Sequence, residues 1–133
     1  MTYISAPTEL VQSLFEAFGR GDINFIVEHV APDCRWVVPG QGIPAAGTYQ
    51  GREGAAQFFQ RLSETEKITR FEPSEYFANG DAVLVLGSEE MQVISTGKRA
   101  ASDWAMLFRV RDGQVVFYQS FFDTAAYAGA HRQ

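Results

Sequence analysis

The sequence has very little cysteine. Cys34 is the single cysteine among 133 residues, so no disulfide can form within the chain. This content is typical of proteins in a reducing compartment, and we therefore expect a cytoplasmic protein. Basic residues are also few, because 11 Lys and Arg against 16 Asp and Glu give a net charge of −5. That balance disfavours binding to nucleic acid and to anionic membrane surfaces, since both require basic patches.

Long hydrophobic runs are lacking as well. No apolar run reaches the roughly 18 residues that a transmembrane helix needs. The first residues, MTYISAPTEL, have neither the basic region nor the apolar region of a signal peptide. We therefore expect no membrane association and no secretion signal.

Motifs that hold metals or cofactors are absent too. The two histidines, His29 and His131, lie far apart, without the cysteine or carboxylate spacing of a metal site. We expect His29 to be exposed and His131 to belong to a frayed tail. The sequence has no phosphate-binding loop, dinucleotide fingerprint or Gly-x-Ser-x-Gly motif. We therefore expect no metal and no cofactor.

What the sequence does have is apolar material, with 46% hydrophobic and 14% aromatic residues, which is enough for the core of one domain over residues 1–133. Apolar spacing predicts helices at residues 7–19, 23–30, 52–66 and 124–131. Alternation and turn residues predict strands at residues 34–38, 68–77, 82–96, 102–110 and 114–122, with a loop at 39–51. The second helix should close at Pro32, and Pro73 should break the 68–77 strand. This order predicts an α+β fold with helices packed on one face of a curved antiparallel sheet.

Four strings, in this order, resemble the nuclear transport factor 2-like (NTF2-like) superfamily and its SnoaL-like branch. They are FGRGDINFIVEHVAPDCRWVVPG, GTYQGREGAAQFF, ANGDAVLVLGSE and FRVRDGQVVFYQSFFDT. The resemblance implies a cone in which a bent sheet wraps around three helices, with a short helix at the C-terminus and a deep apolar pocket. Members of the superfamily include polyketide cyclases, ketosteroid isomerases, epoxide hydrolases, dehydratases and binding proteins without catalysis, so the fold does not fix the function.

The catalytic positions of two of these enzyme classes are largely empty here. The three positions that the ketosteroid isomerases use carry apolar residues, namely Val38, Leu14 and Met106. The Asp-Arg-Asp trio of the epoxide hydrolases falls on Glu89, Gly87 and Ser120, so one acid of three remains. The resemblance therefore argues against both mechanisms.

Strand alternation, combined with this resemblance, assigns a set of residues to the pocket wall. The expected binding residues are Leu14, Phe18, Trp36, Val38, Phe59, Leu62, Met91, Trp104, Met106, Tyr118, Ser120 and Phe122. Each apolar member is equally compatible with a place in the core, because core and pocket wall are chemically alike. A β-bulge would reverse the assignment of any strand.

Glu89 is the candidate catalytic residue. A carboxyl on the inward face of a central strand should have a raised pKa, which suits a general acid or base. The alternatives are that Glu89 lies at the mouth of the cone, that Glu90 points inward in its place, or that Glu89 pairs with an arginine without chemistry.

Other conspicuous residues are expected to be structural. Asp123 should cap the last helix. Asp103 should point out of the pocket, and Cys34 should be a small buried residue. Tyr49 should pack beneath the following helix, although it could also cover the pocket mouth.

The sequence thus predicts a cofactor-free protein whose apolar pocket takes a hydrophobic small molecule. The alternative is a SnoaL-like enzyme, of the cyclase, isomerase or hydrolase type, with Glu89 as acid and base. Alternation also places an apolar set on the opposite face of the sheet: Leu84, Leu86, Ala105, Leu107, Phe117 and Phe121. Such a patch would be costly in water, so we expect a homodimer through this outer face.

Overall fold

The structure is a computed structural model that describes residues 5–133. Its four helices are α1 (Ala6–Gly19), α2 (Ile23–Glu28), α3 (Gly51–Thr65) and α4 (Thr124–His131). Its six strands are β1 (Val30–Val38), β2 (Gly47–Gln50), β3 (Glu66–Asn79), β4 (Ala82–Val93), β5 (Arg99–Arg111) and β6 (Gln114–Phe121). They form one curved sheet in the order β2-β1-β6-β5-β4-β3, and the predicted α+β class is confirmed.

Short polar side chains fix where three of the helices begin. Ser5, Asp22 and Asp123 accept a backbone N–H from the first turn of α1, α2 and α4, respectively. Each thereby satisfies a donor that has no partner within the helix. The predicted cap at Asp123 is confirmed by its 3.0 Å hydrogen bond from the Ala126 N–H.

The first strand begins earlier than the sequence suggested. Helix α2 ends at Glu28, and β1 starts at Val30 and continues through Pro32. This start is held from outside the strand, since the Val115 N–H donates to the His29 carbonyl at 2.8 Å. Pro32 is tolerated because the β1–β6 register shifts between Val30 and Arg35. The expected closure of a helix at Pro32 is therefore wrong.

Two further strand predictions are corrected. The Gly- and Pro-rich loop contains the short strand β2, which pairs antiparallel with β1. Pro73 does not break β3, because a register shift between Pro73 and Glu75 absorbs it. The antiparallel meander from β3 to β6 is confirmed, whereas β1 runs parallel to β6, so that the sheet is mixed.

The sheet has an inner face that meets the helices and an outer face that is open. In β4, Val83, Val85, Met91 and Val93 are buried on the inner face, while Leu84 and Leu86 alternate with them on the outer face. No helix within residues 5–133 is long and apolar enough to cross a membrane.

Candidate active site

A cavity of about 110 Å³ lies between the inner face of the sheet and the helices. Its wall is lined by Leu14, Phe15, Phe18, Ile26, Trp36, Val38, Ile43, Ala45, Phe58, Phe59, Leu62, Glu66, Ile68, Phe71, Glu89, Met106, Phe108, Tyr118, Ser120, Phe122 and Tyr127. Most of the wall is apolar and aromatic. Within the wall, the Trp36 and Tyr118 rings stack against each other with centroids 4.0 Å apart, so each ring fixes the orientation of the other.

Ten of the twelve expected binding residues lie in this wall, and Met91 and Trp104 do not. Met91 is on the inner face but farther along β4, where it is fully buried in a small cluster with Ile43 and Tyr127. The Trp104 ring packs instead in an aromatic cluster, with its centroid 5.1 Å from that of Phe71 and 5.8 Å from that of Phe15. Both residues belong to the core.

Gly87 explains the orientation of Trp104. A Cβ atom on Gly87 would collide with the Trp104 ring and would lie 2.6 Å from the Glu72 carbonyl oxygen. The indole therefore covers the backbone of β4 at Gly87 and takes the space that a side chain would fill. The position that carries an arginine in the epoxide hydrolase trio is thus closed by packing.

Glu89 lies in the cavity wall and is mostly buried. Burial raises the pKa of Glu89 from 4.5 to about 7, and smaller effects come from Tyr127 and Arg70, which lower it, and from Glu66, which raises it. The direction and the dominant cause agree with the sequence expectation. A carboxyl with this pKa can both donate and accept a proton near neutral pH.

Hydroxyl groups surround the same end of the cavity. The Tyr127 hydroxyl is fully buried and faces Glu89, yet it completes no hydrogen bond of good geometry with any group in residues 5–133. Burial raises the pKa of Tyr127 and Tyr118, so both remain neutral donors. Ser120 is buried beside Tyr118. The polar end of the cavity therefore offers hydrogen-bond donors without a fixed positive charge.

A second carboxyl, Glu66, also reaches the cavity. Its Oε2 atom lies 2.9 Å from the Nε2 atom of His131, and the two side chains are only 4% and 6% exposed. The placement of His131 in a frayed tail is therefore wrong, because α4 packs this residue against the start of β3.

The sequence reasoning missed Glu66, Tyr127 and His131, although signals for them exist. Glu66 is two residues before Ile68, so β-alternation puts both on the inner face. Tyr127 and His131 are four residues apart in a helix and share one side of it. These patterns predict the face on which each side chain lies, but they do not predict which groups of other elements it contacts.

The remaining conspicuous residues lie outside the cavity wall. Asp103 is exposed, as expected. Cys34 is fully buried, and burial, with a smaller contribution from Asp33, raises the pKa of its thiol to about 12, so it is chemically inert. Tyr49 packs beneath α3 against Phe58, as expected. His29 is partly buried, in contrast to the expected exposure, because its ring stacks on Phe25 at 4.3 Å.

Metal binding finds no support in the described part of the chain. No group of three or more His, Cys, Asp or Glu side chains within residues 5–133 is arranged to hold a metal ion.

A curved open sheet around three helices, closed by a short C-terminal helix, defines the NTF2-like fold. The model of the SnoaL-like domain matches residues 11–118, and the chain belongs to the SnoaL-like family. The resemblance drawn from the four sequence strings is thereby confirmed.

Solved structures agree with this membership. An NTF2-like protein from Burkholderia xenovorans LB400 is 35% identical, with 96% of each chain covered and a TM-score of 0.87. An NTF2-like protein of unknown function from Burkholderia pseudomallei K96243 is 25% identical, with 98% and 100% covered and a TM-score of 0.88. TerC, co-crystallised with polyporic acid, is 26% identical, with 97% and 100% covered and a TM-score of 0.85. No curated protein sequence matches the chain.

Proposed function

We propose that this protein binds a compact, largely apolar small molecule in the central cavity and that Glu89 exchanges a proton with it. The observation that carries the proposal is the position of Glu89, a mostly buried carboxyl in the wall of a largely apolar cavity, where burial raises its pKa to about 7. A carboxyl in such a place costs folding free energy, and carboxyls with strongly shifted pKa values are found most often at functional sites.

The size and lining of the cavity support a small ligand. At about 110 Å³ the cavity is smaller than the cavity of about 150 Å³ that takes up benzene in a well-studied case. The aromatic and aliphatic side chains of the wall favour an apolar body. The Ser120, Tyr118 and Tyr127 hydroxyls favour a polar atom, such as a carbonyl oxygen, at the end that faces Glu89.

The family supports small-molecule chemistry without fixing the reaction. TerC, at 26% identity, was co-crystallised with polyporic acid, which supports a small organic ligand for a chain of this fold. Acid–base chemistry through Glu89 requires no cofactor, which is consistent with the residues present.

The test uses cyclopentanone, a compact five-membered ketone of about the volume of benzene that carries exchangeable protons next to its carbonyl. In deuterated buffer near neutral pH, proton NMR should show loss of the α-proton signals faster with protein than without it. Glu89→Gln should reduce this exchange to the buffer rate and still bind the ketone, as seen in amide chemical shifts. Ala45→Leu, which narrows the cavity without touching Glu89, should weaken binding.

Two results separate the possibilities. If cyclopentanone neither binds nor exchanges, the proposal is wrong. If it binds without exchange, the proton-transfer part is wrong and the cavity is a receptor for apolar molecules. The apolar residues at Val38, Leu14 and Met106 favour this second function, because they remove the isomerase-type groups.

We also propose that the outer face of the sheet forms a homodimer. Phe121 is 47% exposed and Phe77 is 52% exposed, and between them Leu107 pairs with Leu84 on the same face. Covering these side chains with a second copy would remove apolar surface from water. Sedimentation velocity at micromolar concentration should show a dimer that Leu107→Glu converts to a monomer. Ala101→Glu, at the exposed end of the same strand, should leave the dimer intact. A monomeric wild-type protein would contradict the proposal.

A further inference from the structure

The cavity contains a second acidic group with its own partner. Glu66 lines the cavity wall, and its carboxyl is joined to the His131 imidazole at 2.9 Å with both side chains almost completely buried. The charge of Glu66 reaches Glu89, whose pKa it helps to raise. Two carboxyls therefore line the same small cavity. Glu89 faces the Tyr127 hydroxyl, and Glu66 bonds to the His131 imidazole.

Helix α4 supplies both partners from one of its sides. Tyr127 faces Glu89, and His131, one helical turn later, bonds to Glu66. The end of this helix is held from outside the cavity: the Thr96 hydroxyl donates to the Ala130 carbonyl, and the Lys98 ammonium donates to the Arg132 carbonyl, both at 2.7 Å. The helix is thus anchored where its two polar side chains meet the two acids.

Holding α4 in place does not by itself account for this arrangement. Buried ion pairs contribute little net stability, because desolvation offsets their attraction. A structural pair would also have no need to line a cavity, yet Glu66 lies in a cavity wall that is otherwise mostly apolar. The groups near Glu66 and Glu89 are Tyr127 and His131 from α4 and Tyr118 from β6, with the partly exposed Arg70 of β3 also acting on Glu89.

We propose that Glu66 and His131 are a second proton-transfer pair of this cavity, in which Glu66 exchanges a carbon-bound proton of a small carbonyl compound and His131 positions Glu66. This inference rests on the proposed function of Glu89 and assigns the substrate class. When two neighbouring carboxyls lie in different environments, their pKa values differ, and one can act as the acid while the other acts as the base.

The reaction that fits is reversible enolisation. The Glu66 carboxylate removes a proton from the carbon next to the carbonyl, and the electron pair of that C–H bond forms a C=C bond. The carbonyl π pair takes the proton of the Glu89 carboxylic acid. The products are a neutral enol, a protonated Glu66 and an ionised Glu89, and no oxidant, reductant or metal is consumed. Return of a proton to the same or another carbon restores the protein.

The test measures cyclopentanone α-proton exchange in deuterated buffer as a function of pH. Glu66→Gln should lower the exchange rate by about 10²-fold while the ketone still binds, because a general base contributes an effect of this order. His131→Phe should also lower the rate, and His131→Gln, which keeps an N–H donor, should restore part of it. His29→Gln, which changes the other histidine, a residue that does not line the cavity, should exchange at the wild-type rate.

A second readout does not depend on turnover. With ¹³C-labelled glutamate, Glu66→Gln should lower the titration midpoint of Glu89, because the neighbouring negative charge is gone. An unchanged midpoint, or exchange within about twofold of wild type in folded Glu66→Gln and His131→Phe proteins, would overturn the inference and leave the role of Glu89 intact. Absence of exchange in the wild-type protein would overturn this inference together with the proton-transfer part of the proposed function.

Discussion

Replacing Glu89 with Gln should change how the stability of the protein depends on pH. The carboxyl keeps its proton in the folded protein up to a pKa of about 7, whereas in the unfolded chain it ionises near 4.5. Between these values the folded state binds more protons than the unfolded state. The free energy of unfolding of the wild-type protein should therefore fall as the pH rises through this window.

The size of the effect follows from the same two values. Moving the pKa of a carboxyl from 4.5 to about 7 corresponds to about 3 kcal/mol. This stability is fully present below pH 4.5 and is lost by the time the pH has passed 7. Glutamine is similar in shape and has no charge, so Glu89→Gln should remove the slope. Above pH 7 the variant should be more stable than the wild type by up to about 3 kcal/mol.

Urea denaturation of both proteins at several pH values between 4 and 8 measures this difference. Subtracting one curve from the other cancels the contributions of the titrating groups that do not interact with Glu89. Glu75→Gln, an exposed residue on the outer face of β3, is the matched control and should leave the pH dependence unchanged. Parallel curves for the wild type and Glu89→Gln would refute the reasoning, because they would mean that the Glu89 carboxyl is not desolvated by folding.

Three other substitutions test the packing around the site. Gly87→Ala should destabilise the fold by about 1–3 kcal/mol in urea, since its methyl group would meet the Trp104 ring; a neutral effect would show that the indole moves freely. Asp123→Ala should cost about 1 kcal/mol by removing the cap bond from the Ala126 N–H, and thermal unfolding should show the loss unless water replaces the cap. Met91→Ala should lower the free energy of unfolding by about 2–5 kcal/mol because this side chain is fully buried. Ketone binding should persist in the folded variant. Loss of binding would show that Met91 belongs to the cavity wall after all.

The fold was readable from the sequence where local patterns carry the information. The helical spacing of α1 and α3 and the turn at Arg111-Asp112-Gly113 needed no knowledge of distant residues. That turn places Asp112 and Gly113 at positive φ angles of 53° and 72°, which suits a tight hairpin. The start of β1 was not readable, because Pro32 is a local signal for a break and the pairing that overrides it comes from β6, about 80 residues later.

The candidate site was only partly readable for a related reason. Alternation along a strand assigns a side chain to a face, but it does not say how far along that face the cavity extends. Met91 and Glu89 have the same parity, yet Glu89 faces the cavity and Met91 lies beyond it, where α4 covers the sheet. Trp104 also has the predicted parity, and its ring turns aside because Gly87 leaves room for it. Packing between side chains decided both cases.

The polar end of the cavity depends on α4, the helix for which the sequence predicted no functional role. Helix α4 has only eight residues, and a chain end of that length tends to fray unless it is packed. Its Tyr127 and His131 lie on one side, where Tyr127 faces Glu89 of β4 and His131 bonds to Glu66 of β3, and this bond helps to hold the helix that positions both side chains. The acids in turn can be buried because α4 covers them. The proposed chemistry in the cavity and the packing of α4 are therefore coupled, and removing either carboxyl should weaken the packing of this helix against the sheet.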